Sequence, residues 1–471
     1  MRVLITGGGP TGLTLAIDLA RRGVDVRVID KTDSFFPGSR ADTIQPRTLE
    51  VFDDLGVVDA ILDAGSLAPS YRVHLDGRAV EERRMAELRA PRPDQPYPNP
   101  WTLGQAQLED ILRSRLAELG ARVELATELV SLEQDEHAVT ACFGAGETAR
   151  FDYLVGADGG ASTVRKAIGV AFPGTTDETF RLMIGDVHAP SLDPTTGHWF
   201  AAATSPMTGV AMTPLPGTGM FQLNTAIGMD DDASLTTMQN ALDRFSADVH
   251  LTGCHWSTVW RPNVRLAERF RVGRVFLAGD AAHVHPPTGG QGMNTSIQDA
   301  YNLGWKLATH TSLDSYETER RAVAATVLKA SDDLLRLYAT GHAEAHQRGE
   351  EHLGLHISYR PQTATGRLAP GDRAPDAPVQ DSTGKRIRLF DLFRGPHATQ
   401  LVFGAPAPDT EHTYAVLRPS DDPTGCGQYV IDTDGNALAA YSAYIAQTDG
   451  HVLVRPDGHL ASRGSTGADD W

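Results

Sequence analysis

The first thirty residues constrain the fold more than any other stretch. A short apolar strand, Val3 to Thr6, runs into Gly7-Gly8-Gly9-Pro10-Thr11-Gly12, then into an apolar helix from Leu13 to Arg22 that Gly23 stops. A second strand, Asp25 to Ile29, ends in Asp30. Gly7, Gly9 and Gly12 match G-x-G-x-x-G, whose glycines allow a tight turn, close approach of backbone to a pyrophosphate, and close packing of helix on strand. Asp30 follows Gly12 by 18 residues, where a carboxylate can accept from ribose hydroxyls. Strand, glycines, helix, strand and acid in that order imply a Rossmann-like α/β sheet that holds a dinucleotide. No second fingerprint of this kind occurs, so one large dinucleotide is expected.

A second run, Gly279 to Asn294, links a strand from Arg274 to Ala278 with a helix from Ser296 to Ala308 through a Gly/Pro-rich turn. Asp280 can accept from hydroxyls there, and free N–H groups at the helix start can face negative charge. A third strand, Phe151 to Val155, closes in Gly156-Ala157-Asp158-Gly159 and is followed by Ser162-Thr163-Val164-Arg165. From Phe180 to Val259 the pattern becomes short alternating runs, which predicts a mostly antiparallel sheet inserted into the nucleotide domain. The expected division is a nucleotide domain over 1–179, the inserted sheet over 180–260, and a return with helices over 261–340. A polar linker over 341–370 and a third unit over 371–471 follow. The Pro-rich stretch 91–101 reads as a flap over a pocket or a solvated loop.

With 471 residues and 41% hydrophobic content, two or three domains with ample core are expected. A net charge of -18 argues against nucleic acid or an anionic membrane as partner, since both need positive surface. No stretch of 18 apolar residues occurs, and the N-terminal strand is too brief for a signal peptide, so a soluble cytoplasmic protein is expected. Three widely spaced cysteines exclude a cysteine zinc cluster and give no reason to expect disulfides. His283-x-His285 lacks a third ligand at useful spacing, so no metal is expected.

Together the three motifs resemble those of the single-component FAD-dependent aromatic hydroxylases, which include para-hydroxybenzoate hydroxylase and phenol hydroxylase. The run Pro286-Pro287-Thr288-Gly289-Gly290-Gln291-Gly292 is similar to that of the polyketide and antibiotic hydroxylases and of rifampicin monooxygenase. Those proteins also carry a C-terminal thioredoxin-like domain. The resemblance implies that Gly7, Gly9, Gly12 and Asp30 hold the ADP half of FAD, with Arg40 at its pyrophosphate and Gln105 at the ribityl region. It implies that Asp158 serves both FAD and a passing nicotinamide, and that Asp280 accepts from ribityl hydroxyls. Pro287 would sit beside the isoalloxazine, while Gly292, Met293 and Asn294 would offer N–H groups to its N1–O2 edge, where reduced flavin carries negative charge.

The implied chemistry uses NADPH or NADH as transient reductant and O2 as co-substrate, with a flavin C4a-hydroperoxide hydroxylating a polycyclic, polyketide- or antibiotic-like phenol. Baeyer–Villiger insertion or epoxidation would use the same fold, and a non-catalytic FAD protein sequestering an aromatic drug would keep the same motifs. No residue matches a shared general base. Met212, Gln222 and Asn224 fall on predicted strands of the inserted sheet, where substrate contacts are expected. The absence of Arg and Lys between Arg181 and Arg244 favours a neutral substrate. In the C-terminal unit the loop Gly404 to Pro408 has no cysteine, which excludes disulfide exchange and leaves a structural or homodimerising role.

Overall fold

The computed structural model describes residues 1–144, 146–286, 289–360, 368–446 and 448–461. The strand Arg2–Thr6 lies inside a six-stranded sheet, between Tyr153–Gly156 and Asp25–Ile29, both parallel to it. Val275–Leu277 extends the parallel sheet on one side and Val123–Glu124 on the other; Arg271–Val272 closes the edge antiparallel. Val3, Leu4 and Ile5 are completely buried, as expected where both faces of a parallel sheet are covered. The helix Pro10–Ala20 packs on this sheet and against the helix Gly292–Thr309. Gly304 allows that approach, because a Cβ there would lie 2.2 Å from the Asp18 carboxylate.

The inserted sheet is larger than the expected 180–260. Its seven strands run in the order Gly253–Trp260, Arg181–His188, Met220–Ile227, Ser205–Leu215, Gly197–Ala202, Tyr71–Leu75 and Arg78–Arg83. The last two come from the N-terminal part of the chain, and Tyr71–Leu75 pairs parallel with Gly197–Ala202. Period-two alternation assigns the faces. Met183, Val187, Met212, Phe221 and Leu223 pack under the helix Leu235–Asp243. Leu182, Ile184, Thr213, Gln222 and Asn224 face the other way, into a cavity. Met212 is therefore core, opposite Leu223 in register, whereas Gln222 and Asn224 do reach the pocket.

The C-terminal unit holds a mixed six-stranded sheet. Three parallel strands, Thr399–Phe403, Thr413–Leu417 and Gln428–Ile431, are flanked by His451–Val454 and by the hairpin Pro378–Asp381/Arg386–Arg388, all antiparallel to their neighbours. It meets the nucleotide domain through buried charge rather than apolar surface. Arg373 Nε donates to Glu50 at 2.7 Å, Arg47 donates to Glu50 at 2.9 Å and to the Asp457 carbonyl at 2.7 Å. Arg455 donates to Glu319 at 2.8 Å, and Lys306 donates to the same carboxylate at 2.7 Å. Burial pulls the Lys306 amine down to about 8, with Glu319 opposing it. Among the described residues, no helix is long and apolar enough to cross a membrane.

Candidate active site

The three glycine- and acid-bearing turns converge at the carboxyl ends of adjacent parallel strands. Gly7 adopts φ +106°, and a Cβ there would lie 2.2 Å from the Ala157 carbonyl, so the first turn sits directly against the Asp158 turn. A Cβ on Gly12 would lie 1.9 Å from the Gly7 carbonyl, and one on Gly279 would lie 2.6 Å from the Thr11 hydroxyl. Gly9, the residue that caps the helix Pro10–Ala20, has nothing within 4 Å of a built Cβ. Gly7, Gly12 and Gly279 are thus required by packing, while Gly9 opens onto space.

That space is a cavity of about 660 Å³, within the usual range of small-molecule sites. Gly9, Arg40, Gln105, Asp280, Gly292 and Met293 line it. Asp280 is exposed to the cavity although protein surrounds it, and no protein donor among the described residues bonds its carboxylate. Burial raises its pKa, with His283 and Arg40 pulling the other way. The Arg40 guanidinium lies over the Phe36 ring, 4.4 Å from its centre. Gln105, at the start of the helix Gln105–Glu118, donates to Glu109 at 2.8 Å. The helix Gly292–Thr309 starts at the cavity wall, where its first N–H groups have no intrahelical partner.

Other expected residues support this wall without lining it. Asp30 accepts from the Gly8 N–H at 2.8 Å and from Thr32, tying the second strand to the glycine turn. Asp158 accepts from the N–H groups of Thr163 and Val164 at 2.7 and 3.1 Å, and its other oxygen is buried without a partner. The Asn294 side chain accepts from the Gln45 N–H at 2.8 Å and donates to the Thr43 and Gly290 carbonyls, both at 2.9 Å. Pro287 lies outside the described residues.

Sequence reasoning missed a second tier of supports. Asp299, completely buried, accepts from the Gly279 N–H at 3.1 Å, from His283 at 2.6 Å and from Arg320 at 2.7 Å. His283 is thereby committed to the Asp280 turn, while His285 Nδ1 lies 3.2 Å from the Ser331 hydroxyl. A polar residue in a wholly buried helix was the available signal for Asp299.

The opposite wall is also more charged than the strand residues suggest. Residues 345–353, expected in a linker, contribute Ala345, His346, Arg348, His352 and Leu353 to the cavity. Arg348 donates to the carbonyls of Ala345 and Gln347 at 2.7 and 2.9 Å, and burial pulls its pKa down to about 10. It keeps its charge at neutral pH, and Arg83 lines the cavity as well. The absence of Arg and Lys between Arg181 and Arg244 does not leave the cavity without cations, because Arg83 and Arg348 come from outside that stretch. Trp260 is part of the cavity wall, and Trp256 packs on Gly38 and Phe36. Asn99 and Pro100, at the end of the Pro-rich stretch, border the cavity too.

Residues 1–331 match the model of the FAD binding domain family, and the chain belongs to that family. It is a flavin-dependent monooxygenase of the aromatic and polyketide hydroxylase type. A flavin-dependent monooxygenase of Mycobacteroides abscessus is 41% identical over 98% of this chain and 96% of its own length. The rifampicin monooxygenase of Streptomyces venezuelae is 37% identical over 72% of each chain. Among solved structures, aklavinone-11 hydroxylase with FAD and aklavinone superposes with a TM-score of 0.79 at 26% identity, covering 100% of this chain and 96% of that one.

Proposed function

We propose that this protein uses FAD, a nicotinamide reductant and O2 to hydroxylate a large aromatic substrate. The observation that carries the reading is Asp280, a carboxylate without a protein donor among the described residues, in the same cavity as Gly9, Arg40 and the start of the helix Gly292–Thr309. A flavin dinucleotide fits that set. Gly9 leaves room for pyrophosphate, Arg40 supplies a cation, Asp280 an acceptor for ribityl hydroxyls, and the helix start a partial positive charge for the flavin ring. Gln105 would meet the ribityl chain. Gly7, Gly12, Asp30, Asp158 and Asn294 would act by holding these groups in place. When bound, FAD would carry two electrons from NADPH or NADH and use O2 to supply one oxygen atom to the substrate.

The inserted sheet and residues 334–353 would then orient the substrate and exclude water. Leu182, Ile184, Trp199, Trp260, Leu334 and Leu353 offer a broad apolar surface, and Thr213, Gln222 and Asn224 give it polar points. That mixture favours a polycyclic ring system carrying hydroxyls, similar to the aklavinone named with the hydroxylase above. Reliance on a nicotinamide supply favours the cytoplasm. The C-terminal unit is read as a thioredoxin-like scaffold without a dithiol.

The visible spectrum of the purified protein, followed by NADPH and NADH oxidation with a panel of polycyclic phenols, tests the reading. The expected result is bound flavin, oxidation accelerated by some of the phenols, and a product one oxygen atom heavier. Ligand binding without stimulated oxidation would favour sequestration instead, and absence of flavin after reconstitution would refute the assignment.

A further inference from the structure

The segment 345–353 runs along the cavity from the inserted sheet to the cofactor wall. At its start the His346 ring stands edge-on to Trp199, with 5.0 Å between centres. At its end Gln291 donates to the Glu351 carbonyl at 3.2 Å, and the Leu353 carbonyl accepts from the Arg47 N–H. Between them the Arg348 N–H donates to the Met85 carbonyl at 2.8 Å, which draws the chain around Arg83 onto the same segment. Arg348 and Arg83 both line the cavity. Their charges meet at His346: burial lowers that imidazole to about 4, and Arg83 and Arg348 push it the same way.

Arg348 differs from the buried arginines that hold the fold together. Arg373 faces Glu50, and Arg455 faces Asp457 and Glu319. Burial opposes their charge, but the carboxylates outweigh it and raise both pKa values. At Arg348 burial wins, and the pKa falls to about 10 although Tyr71 and Glu351 pull the other way. Glu351 gives little, because its carboxylate lies beside Gly349 and His352 with the side chain 63% exposed. The hydrogen bonds from Arg348 to the Ala345 and Gln347 carbonyls aim the guanidinium without neutralising it. Glu87 also lines the cavity, but it is exposed and water screens it.

We propose that Arg348 and Arg83 form a subsite for a carboxylate on the substrate, so that the protein takes polycyclic aromatic acids and seats them by the acidic end. The proposal rests on the reading of the substrate as a large aromatic. The planar fork of an arginine meets both oxygens of a carboxylate, and a second cation nearby suits the lone pairs that remain. The Tyr71 and Thr213 hydroxyls, 2.7 Å apart in the same cavity, add a donor: one proton is used between them and the other is left for an acceptor. Burial raises the Tyr71 pKa above the ordinary phenol value, so that proton stays in place. Asp42 and Arg348 act on Tyr71 in opposite senses, which directs an acid to the Arg348 side. Trp199 and Leu353 add apolar surface for the rings. From Arg348 the segment continues to His352, whose ring lies beside Gly289 of the cofactor turn. An acid held at Arg348 therefore aims the other end of the ring system at that turn.

Isothermal titration of the FAD-loaded protein with 4,5-dihydroxyanthraquinone-2-carboxylate and with its neutral 2-carboxamide tests the subsite. The two probes share rings and hydroxyls and differ by one charge. Wild type is expected to bind the acid at least ~10-fold more tightly than the amide, the lower end for a hydrogen bond between charged groups. Arg348→Gln should weaken the acid roughly 10- to 100-fold and the amide less than about 3-fold, with FAD content unchanged. Arg348→Lys keeps the charge and loses the fork, so its acid affinity should fall between the two. Arg83→Gln should cost the acid less, because Arg83 is 33% exposed and lies 3.7 Å from Glu81. Equal affinity of acid and amide in wild type, or no binding of either, would overturn the subsite. So would an equal loss of both probes in Arg348→Gln, which marks damage to the segment rather than a missing cation. A protein that holds FAD and oxidises neutral phenols, yet shows no preference for the acid, keeps the monooxygenase reading and loses only this subsite.

Discussion

The two walls of the cavity are assembled in opposite ways. The cofactor wall is built from turns within a few residues of the strands that carry them: Gly7 to Gly12, Asp158, Asp280 and the helix start at Gly292. The substrate wall gathers Tyr71 and Arg83, then Leu182 to Trp260, then Leu334 to Leu353. One wall depends on backbone shape and the other on side chains brought together over long range. The difference teaches where each can be damaged. The first should fail when backbone contacts are blocked, the second when the clamps that gather its pieces are released.

The largest effect is expected from such a clamp. Arg47 N–H donates to the carbonyl of Leu353, a substrate-wall residue, and the Arg47 side chain shares buried Glu50 with Arg373 of the C-terminal unit. Glu50→Ala leaves two buried guanidinium groups without their anion, a loss of about 3–5 kcal/mol. Thermal unfolding should drop accordingly. Burial alone would raise the Glu50 pKa, but Arg373 and Arg47 outweigh it and hold it below the usual range. A depressed folded pKa gives stability that is complete above the unfolded value of about 4.3 and is lost as pH falls through the folded one. The gap in Tm between wild type and Glu50→Ala should therefore be full at pH 7 and narrow below about pH 4. A gap constant with pH would show that the pair does not carry the clamp.

Gly12→Ala attacks the other wall. Its Cβ would meet the Gly7 carbonyl at 1.9 Å, and that atom belongs to backbone fixed against Ala157. Overpacking of this kind costs about 1–3 kcal/mol, and the rigidity of the contact puts it near the upper end. The purified variant is expected to be colourless, or to lose flavin on dialysis. Full yellow occupancy would mean that the turn has more room than its geometry indicates.

Asp280→Ala should act more narrowly. A hydrogen bond to a charged group contributes about 1.5–3 kcal/mol, or roughly 10- to 100-fold in the FAD dissociation constant. Titration of apoprotein with FAD, read by quenching of flavin fluorescence, measures this directly. An unchanged constant would remove Asp280 from the cofactor site while leaving the wall intact.

This asymmetry also explains what the sequence made legible. Glycine spacing, strand ends and helix starts are local, so the cofactor wall and the motif order could be read from short windows. Asp280, Arg40 and Gln105 line one cavity. The Asp30 side chain is bonded to the protein's own backbone, and so is that of Asn294, whose backbone N–H lies in the first turn of the helix Gly292–Thr309. The strands at 71–83 were not legible as part of the inserted sheet, because joining Gly197–Ala202 depends on pairing across more than a hundred residues. Residues 341–353 read as a polar linker, since the charges that mark linkers also serve a buried wall once partners surround them.

The smallest effect is expected on the face of the inserted sheet, and it sharpens the division most. Asn224 donates to Gln222 at 2.7 Å, and Gln222 donates to the Ser39 carbonyl at 2.5 Å, so the amides form a chain from the pocket to the strip before Arg40. Asn224→Ala removes the outer link only. Gln222 keeps its bond to Ser39, and its oxygen, beside the cavity, can turn to water, which limits the stability cost to about 0.5–1.5 kcal/mol. If the substrate wall works through side chains that the cofactor wall does not need, KM for the best phenol should rise several-fold while FAD affinity stays at the wild-type value. A parallel loss of FAD would mean that the chain through Ser39 couples the two walls, and that the cavity works as one site with a shared frame.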